Sequence, residues 1–360
     1  MKCGIVGLPN VGKSTLFNTL GSAKAEAANY PFCTIEPNVG VFTVPDKRLE
    51  EISALVKTQR TVPATVQIVD IAGIVKGASK GEGLGNQFLQ HIRETDAIVH
   101  LVRCFVNDDI VHVDGSVDPE RDVEVINTEL ILADLQSIEK RAEKEKRTAK
   151  TGDKDAKKMS EILEALQVHM NAGNPARSLK LDPKDAELIP SLFLISAKPV
   201  LYVANISSNP ADKAYAEKVR AIAEKENALF MILDGQMESE IAQLPESERK
   251  EFLEAMGLEE PGLHRFIRTA FDLLGLCTYY TAGVKETRAW TIHKGMKAPQ
   301  AAGVIHTDFE RGFICAETYK SDDLVRLGSE AKIKEAGLWR QEGKEYTVQP
   351  GDVLTFRFNV

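Results

Sequence analysis

Short apolar runs recur along the first two thirds of the chain, at 3–6, 39–44, 66–69, 98–102, 200–204 and 229–233. They are short, rich in β-branched or apolar residues, and separated by helical stretches. That pattern predicts strands buried on both faces of a mostly parallel sheet. A helix is expected over 14–20, directly after the first run. Between 102 and 200 the period changes. Val123, Ile126, Leu130 and Ala133 recur at three and four residues, and Ile131, Leu135, Ile138 and Ala142 form a neighbouring stripe. Met159, Ile162, Leu163, Leu166 and Met170 form another, and Gly152-Asp153 between them marks a turn. The spacing predicts a long antiparallel helical hairpin inserted into the sheet domain. A loop-rich return follows over 171–190, and the sheet then resumes. A helix over 263–274 leads into strands at 278–281, 288–293, 311–317 and 353–358, with a further helix starting near Pro299. These last elements make a small α+β domain.

The length, 360 residues, suits two or three domains. No apolar run approaches the roughly 20 residues of a membrane span. One lysine precedes the first strand, so no signal peptide is expected. Cys3, Cys33, Cys104, Cys277 and Cys315 are scattered and form no C-x-x-C pair. Reduced thiols in a cytoplasmic protein fit better than a disulfide framework or a zinc site. A net charge of −8 argues against a protein that coats nucleic acid. One local exception is the run 140–158 at the hairpin tip, with nine Lys or Arg. It is either a solvated helical surface or a contact to a phosphate-rich partner.

The chemistry begins in Gly7-Leu8-Pro9-Asn10-Val11-Gly12-Lys13-Ser14, a full G-x-x-x-x-G-K-S between a strand and a helix. In that context backbone N–H groups and the helix N-terminus cradle phosphates. Asn10, Val11, Gly12, Lys13, Ser14 and Thr15 are the expected phosphate-binding stretch. Lys13 reaches the β- and γ-phosphates, and the Ser14 hydroxyl ligates Mg²⁺. Asp70-Ile71-Ala72-Gly73 ends the 66–69 strand as D-x-x-G. Asp70 is expected to hold Mg²⁺ through water, and the Gly73 N–H to meet the γ-phosphate. Thr34, on a loop between the two motifs, is the candidate second Mg²⁺ ligand. The glycine-dense 77–85 segment reads as a mobile switch loop. Ile74 stands where switch GTPases often place a glutamine, so water attack must use another group or be slow and stimulated by a partner.

The base pocket discriminates between nucleotides. Guanine-specific sites use N-K-x-D, whose carboxylate accepts two hydrogen bonds from guanine. Here the strand ends in Asn205-Ile206-Ser207-Ser208, with neither lysine nor aspartate. Hydrogen bonds to a charged acceptor contribute about 1.5–3 kcal/mol each. Losing both removes roughly two to four powers of ten of guanine preference, so ATP is the expected nucleotide. Ser196-Ala197-Lys198 resembles a base-loop motif but precedes Asn205, and is read as a decoy. Leu233-Asp234-Gly235 is the better-placed base loop, with Leu233 and Gly235 as candidate contacts. Its Asp234 keeps a guanine contact open.

These motifs, in this order, resemble the YchF/Obg-like ATPase family across essentially the whole chain. Glu-Glu-Pro-Gly-Leu at 259–263, Thr-Ala-Gly-Val-Lys-Glu from Thr281 and the closing run 351–360 carry the resemblance further. It implies an α/β P-loop G domain over 1–119 and 196–276, a coiled-coil hairpin insertion over 120–195 and a C-terminal TGS domain of β-grasp fold over 277–360. It also implies Mg²⁺-dependent ATP hydrolysis, ribosome association through the large subunit or the whole ribosome and its rRNA, and a cytoplasmic monomer or weak dimer without membrane contact. The hydrophobic Ile74 matches the family. Ser208 departs from the family's N-x-x-E. Phe105, in the family's L-V-R-x-F run, either stacks on adenine or packs in the core. His112 matches a loop histidine proposed to help hydrolysis, though a structural histidine fits as well. Asn10 matches the asparagine of potassium-stimulated relatives, which adds K⁺ as a candidate cofactor. The rival readings are a GTPase of the same fold and a ribosome- or RNA-binding module with a slowly hydrolysed regulatory nucleotide.

Overall fold

The computed structural model describes residues 1–22, 38–71 and 84–359. Thr34, Gly73, Ile74, Cys33 and most of the 77–85 segment lie outside the described residues.

The strands described fall into two sheets. In the first, β1 (Lys2–Val6), β4 (Thr65–Asp70), β5 (Ala97–Arg103), β6 (Val200–Asn205) and β7 (Leu229–Leu233) join β2 (Val39–Thr43) in the order β2-β4-β1-β5-β6-β7. β1 is parallel to β4 and β5, β5 to β6, and β6 to β7. Every residue of β5 and β6 is buried, which is why these runs carry no alternation. The long helix Pro119–Ala149 starts where Asp118 accepts the Arg121 N–H and proline takes the first turn. Its second half packs Ile131, Leu135, Ile138 and Ala142 on Ile162, Leu163, Leu166 and Met170 of the helix Lys154–Asn171. The hairpin turn uses Gly152 at φ 90°, a conformation that favours glycine.

One buried network fixes the hairpin root. Arg177 donates to Glu226 at 2.7 and 3.0 Å, to the Tyr202 hydroxyl at 3.0 Å and to Asn127 Oδ1 at 3.0 Å. These residues come from the return segment, the end of the helix Asp212–Glu226, β6 and the long helix. Beside them, burial and the Arg177 charge push His100 down to about 3, so this ring stays neutral.

The second sheet runs β11 (Arg340–Glu342), β10 (Phe313–Lys320), β12 (Asp352–Phe358), β8 (Leu276–Thr281), β9 (Thr287–His293) and β3 (Thr61–Val62). β8 and β9 are antiparallel, β12 is antiparallel to β10 and parallel to β8. Tyr279, Ile292, Phe313, Leu354 and Phe356 enclose Ala298, Ala301 and Ala302 of the helix Ala298–Ile305. The strand expected from 311 begins at Phe313 instead, because Arg311 closes a short helix, Thr307–Arg311, capped by His306.

Contacts divide the chain into Met1–Gly40 with Gln67–Phe266, and Val41–Val66 with Ile267–Val360. This differs from the boundaries read from the sequence in two ways. The hairpin groups with the nucleotide-binding sheet, and 41–66 group with the C-terminal residues. The second follows from the helix Lys47–Val56, whose N-cap Asp46 accepts the Tyr280 hydroxyl at 2.8 Å and whose Arg48 pairs with Asp322 at 3.0 Å.

Candidate nucleotide site

A cavity of about 650 Å³ opens where β1, β5, β6 and β7 end. Four parallel strands thus deliver four loops to one place, where ligands bind in open α/β sheets. The phosphate end is the loop from β1 into the helix Lys13–Ser22. Two positions there exclude a side chain. A Cβ at Gly7 would stand 2.7 Å from the Leu101 carbonyl oxygen. A Cβ at Gly12, whose φ is +95°, would stand 2.3 Å from Asn205 Nδ2. Gly12→Ala is therefore expected to weaken nucleotide binding at least tenfold by distorting the cradle, as calorimetry would show.

Asn10, Gly12, Lys13, Ser14 and Thr15 line the cavity, as do Phe105, Asn205, Ile206 and Gly235. The Lys13 ammonium is paired with the Asp70 carboxylate at the end of β4. Both expected phosphate-site charges therefore meet at one end of the cavity. Asn205 ties the walls together: its Nδ2 donates to Val11 O at 2.9 Å and its Oδ1 accepts the Gly235 N–H at 3.0 Å. The Asn10 Nδ2 donates to Val111 O at 3.1 Å, joining the phosphate loop to the loop after β5.

Three expected site residues have side chains off the cavity wall. Val11 and Leu233 are 2% exposed and do not line the cavity. Each acts through its carbonyl, Val11 accepting from Asn205 and Leu233 from the Ile206 N–H. His112 also lies off the cavity wall. Its Nδ1 accepts the Asp114 N–H at 3.2 Å, which leaves Nε2 to donate to Asp122 at 2.9 Å. With both ring nitrogens engaged and the side chain buried, it is a structural histidine in this geometry. His112, Asp114 and Asp122 bring donor atoms within 4.8 Å of one another. Arg121, 3.0 Å from Asp122 and 3.7 Å from Asp114, already balances that charge and disfavours a cation there.

Arg103, the end of β5, escaped the sequence reading. It is 2% exposed and donates to the carbonyls of Phe105, Asn107 and Ile110, so it shapes the loop that forms one cavity wall. Its guanidinium carbon sits 4.7 Å from the Phe105 ring centroid. Its place at the end of a wholly buried strand was the available signal. Asn107, Ile110, Ser207 and Gln236 also line the cavity. The decoy motif is structural: Ser196 bonds to Asp134, and Lys198 caps the carbonyls of Ile92, Arg93 and Thr95.

The parallel sheet, the G-x-x-x-x-G-K-S loop and a cavity at the strand ends define a P-loop nucleotide-binding domain of the GTPase type. Residues 2–132 match the family model described as "50S ribosome-binding GTPase". Residues 276–359 match YchF-GTPase_C, described as "Protein of unknown function (DUF933)". The chain is 55% identical over 360 residues to "Ribosome-binding ATPase YchF" of Pasteurella multocida, covering 100% of this chain and 99% of that one. It is 54% identical over 364 residues to the protein of the same name from Bacillus subtilis, covering 100% of each. A solved structure titled "Structure of the Schizosaccharomyces pombe YchF GTPase" superposes with a TM-score of 0.89 at 36% identity, over 99% of this chain and 97% of that one. The chain belongs to the YchF family. These matches carry the YchF half of the resemblance and not the Obg-like half.

Proposed function

We propose that this chain is a Mg²⁺-dependent, ATP-binding and ATP-hydrolysing conformational switch that associates with the ribosome. One observation carries the choice of base: no carboxylate lines the cavity among the described residues. Three acids near the cavity are already committed. Asp234 caps the helix Gly235–Gln243, accepting from Gln236 N–H and Met237 N–H. Asp212 accepts from Ser207, and Glu238 accepts from the Gly262 and Leu263 N–H groups. Guanine would therefore meet none of these three carboxylates without breaking the bonds they already make. Phe105 offers adenine an aromatic face at the same end. The bacterial relatives carry "ATPase" in their names and the fission-yeast structure "GTPase", so the base needs its own test.

The residues present fit a hard divalent ion, since Ser14 and Asp70 offer a hydroxyl and a carboxylate beside the phosphate loop. Mg²⁺, when bound, neutralises charge building on the β/γ-phosphate oxygens. Lys13 and the loop amides hold the phosphates and stabilise the transferring group. Thr34 and Gly73 keep their proposed roles as metal ligand and γ-phosphate sensor, outside the described residues. Potassium would sit at Asn10, on the cavity wall. With His112 turned away and isoleucine at Ile74, water activation falls to another group or to the ribosome.

The finer domain reading also belongs here. Centrally parallel β8 and β12, each flanked by an antiparallel neighbour with a helix against the sheet, support a β-grasp TGS domain over 277–360. The apolar seam between the hairpin helices supports a coiled-coil insertion over 120–195. The hairpin tip and the TGS domain are the expected ribosome and rRNA contacts of a cytoplasmic monomer or weak dimer. Among the described residues no helix is long and apolar enough to cross a membrane.

Co-sedimentation with ribosomes tests the association. The wild-type chain is expected to pellet more with a non-hydrolysable ATP analogue than with ADP, and Lys13→Ala to lose that difference. Pelleting in no nucleotide state contradicts ribosome association. Equal pelleting in all states supports the binding-module alternative.

A further inference from the structure

A second cleft, about 370 Å³, lies between the helix Leu84–Arg93 and the long helix Pro119–Ala149. It is distinct from the nucleotide cavity and shares no lining residue with it. Arg93 and Lys140 line it from opposite helices, with Gln90, Gln136 and Ser137 between them and Leu89 and Ala133 as an apolar floor. Two cations from facing helices around a small open cleft are the donors that an oxyanion takes, while the Gln90 amide is engaged by Glu94 and the Ser137 hydroxyl by Ala133 O.

The surrounding charges reinforce this. Among the described residues no acid lines the cleft. Asp134, next to Ala133 on the long helix, is fully buried, and its carboxylate accepts from Ile195 N–H, Ser196 N–H and the Ser196 hydroxyl. Glu94, one residue past Arg93, accepts from the Gln90 amide at 3.4 Å, and exposed Glu139 precedes Lys140, so acids stand near both cations without lining the cleft. The carbonyl end of the helix Leu84–Arg93 would repel an anion, but the Lys198 ammonium caps it, 2.8 Å from Ile92 O and 2.9 Å from Arg93 O. Arg93 and Lys140 are exposed, and neither has an ion-pair partner within 4.0 Å among the salt bridges of the described residues. On the long helix, Ala133, Gln136, Ser137 and Lys140 share one face, and exposed Lys144 extends it by one turn.

We propose that this cleft is a second anion site, in which Arg93 and Lys140 hold a phosphate group between the helix that follows D-x-x-G and the helical hairpin. A phosphate there would bridge the two helices, so its binding would be linked to the position of the helix Leu84–Arg93. The group is either a free phosphate or one phosphate of a polynucleotide backbone, and both present the same oxygens to the cleft.

The full chain, with its nucleotide cavity saturated by a non-hydrolysable ATP analogue and Mg²⁺, is titrated with pyrophosphate by calorimetry. A labelled single-stranded oligonucleotide is titrated by anisotropy across a salt series. The variants are R93Q, K140Q, their double variant and, as a control at a distant exposed cation, K250Q. Circular dichroism checks that each folds. Each cleft substitution is expected to weaken one probe roughly tenfold, and the double variant more. Loss of pyrophosphate binding identifies free phosphate as the ligand. Loss of oligonucleotide binding, with a salt slope lower by about 0.7, identifies a backbone phosphate. Unchanged binding of both probes by the double variant, or an equal loss in K250Q, overturns the proposal.

Discussion

Replacing Lys13 with alanine is expected to lower the rate of ATP hydrolysis roughly a hundred- to a thousandfold, the usual loss when one preorganised charge at a transition state is removed. Lys13 begins the helix Lys13–Ser22, lines the cavity and is paired with Asp70. Its ammonium can thus move from Asp70 to phosphate oxygens without crossing the pocket. The Lys13 side chain is 12% exposed and that of Asp70 19%, so water screens the exchange only in part. Alanine removes the cation and leaves Asp70 facing the phosphates as a repulsive charge. Phosphate release under saturating nucleotide separates the effect on kcat from the effect on binding. A variant that kept half the wild-type kcat would show that Lys13 takes no part in the chemical step.

Arg177→Ala is expected to destabilise the fold by about 3–5 kcal/mol, through the buried charge left behind rather than the bond removed. The side chains of Arg177 and Glu226 are 7% and 9% exposed. Without Arg177, the Glu226 carboxylate keeps only the Tyr202 hydroxyl and an Asn127 amide. Those donors cannot replace a guanidinium in a site so poorly hydrated. Replacing Arg177 and Glu226 together by leucine should cost less than Arg177→Ala alone, because no charge stays buried. Urea denaturation of the three proteins measures both statements. A loss below about 1 kcal/mol for Arg177→Ala would place the pair among solvent-screened surface bridges.

Much of the nucleotide-binding sheet was legible because its signal is local. The 98–102 and 200–204 runs are apolar but for His100, and the structure extends each by at most two residues, to Ala97–Arg103 and Val200–Asn205. The hairpin was legible for the same reason, since its seam repeats at helical spacing. What escaped depends on contacts distant in sequence. The helix Lys47–Val56 buries only Leu49 and Ile52, too few to stand out, and its attachment to Tyr280 and Asp322 spans more than 230 residues. Arg103 looked like the polar end of a strand, yet it organises the loop that carries Phe105. His112 sits in a polar stretch that suggests solvent, but Asp122, from the first turn of the long helix, folds back to bury it. The cavity wall from Asn10 to Gly235 was largely readable because a phosphate loop needs fixed residues at fixed spacing. That Val11 and Leu233 turn their side chains inward was not legible, because sequence does not reveal whether a loop residue presents its side chain or its backbone.

The central claim is that this cavity selects adenine because, among the described residues, no carboxylate lines it to meet guanine. Calorimetric titration with non-hydrolysable analogues of ATP and of GTP, each with Mg²⁺, tests it most directly. The expected result is tighter binding of the ATP analogue by roughly two powers of ten or more. Equal or tighter binding of the GTP analogue would contradict the claim, and would mean that Asp234 leaves its helix cap to accept from guanine.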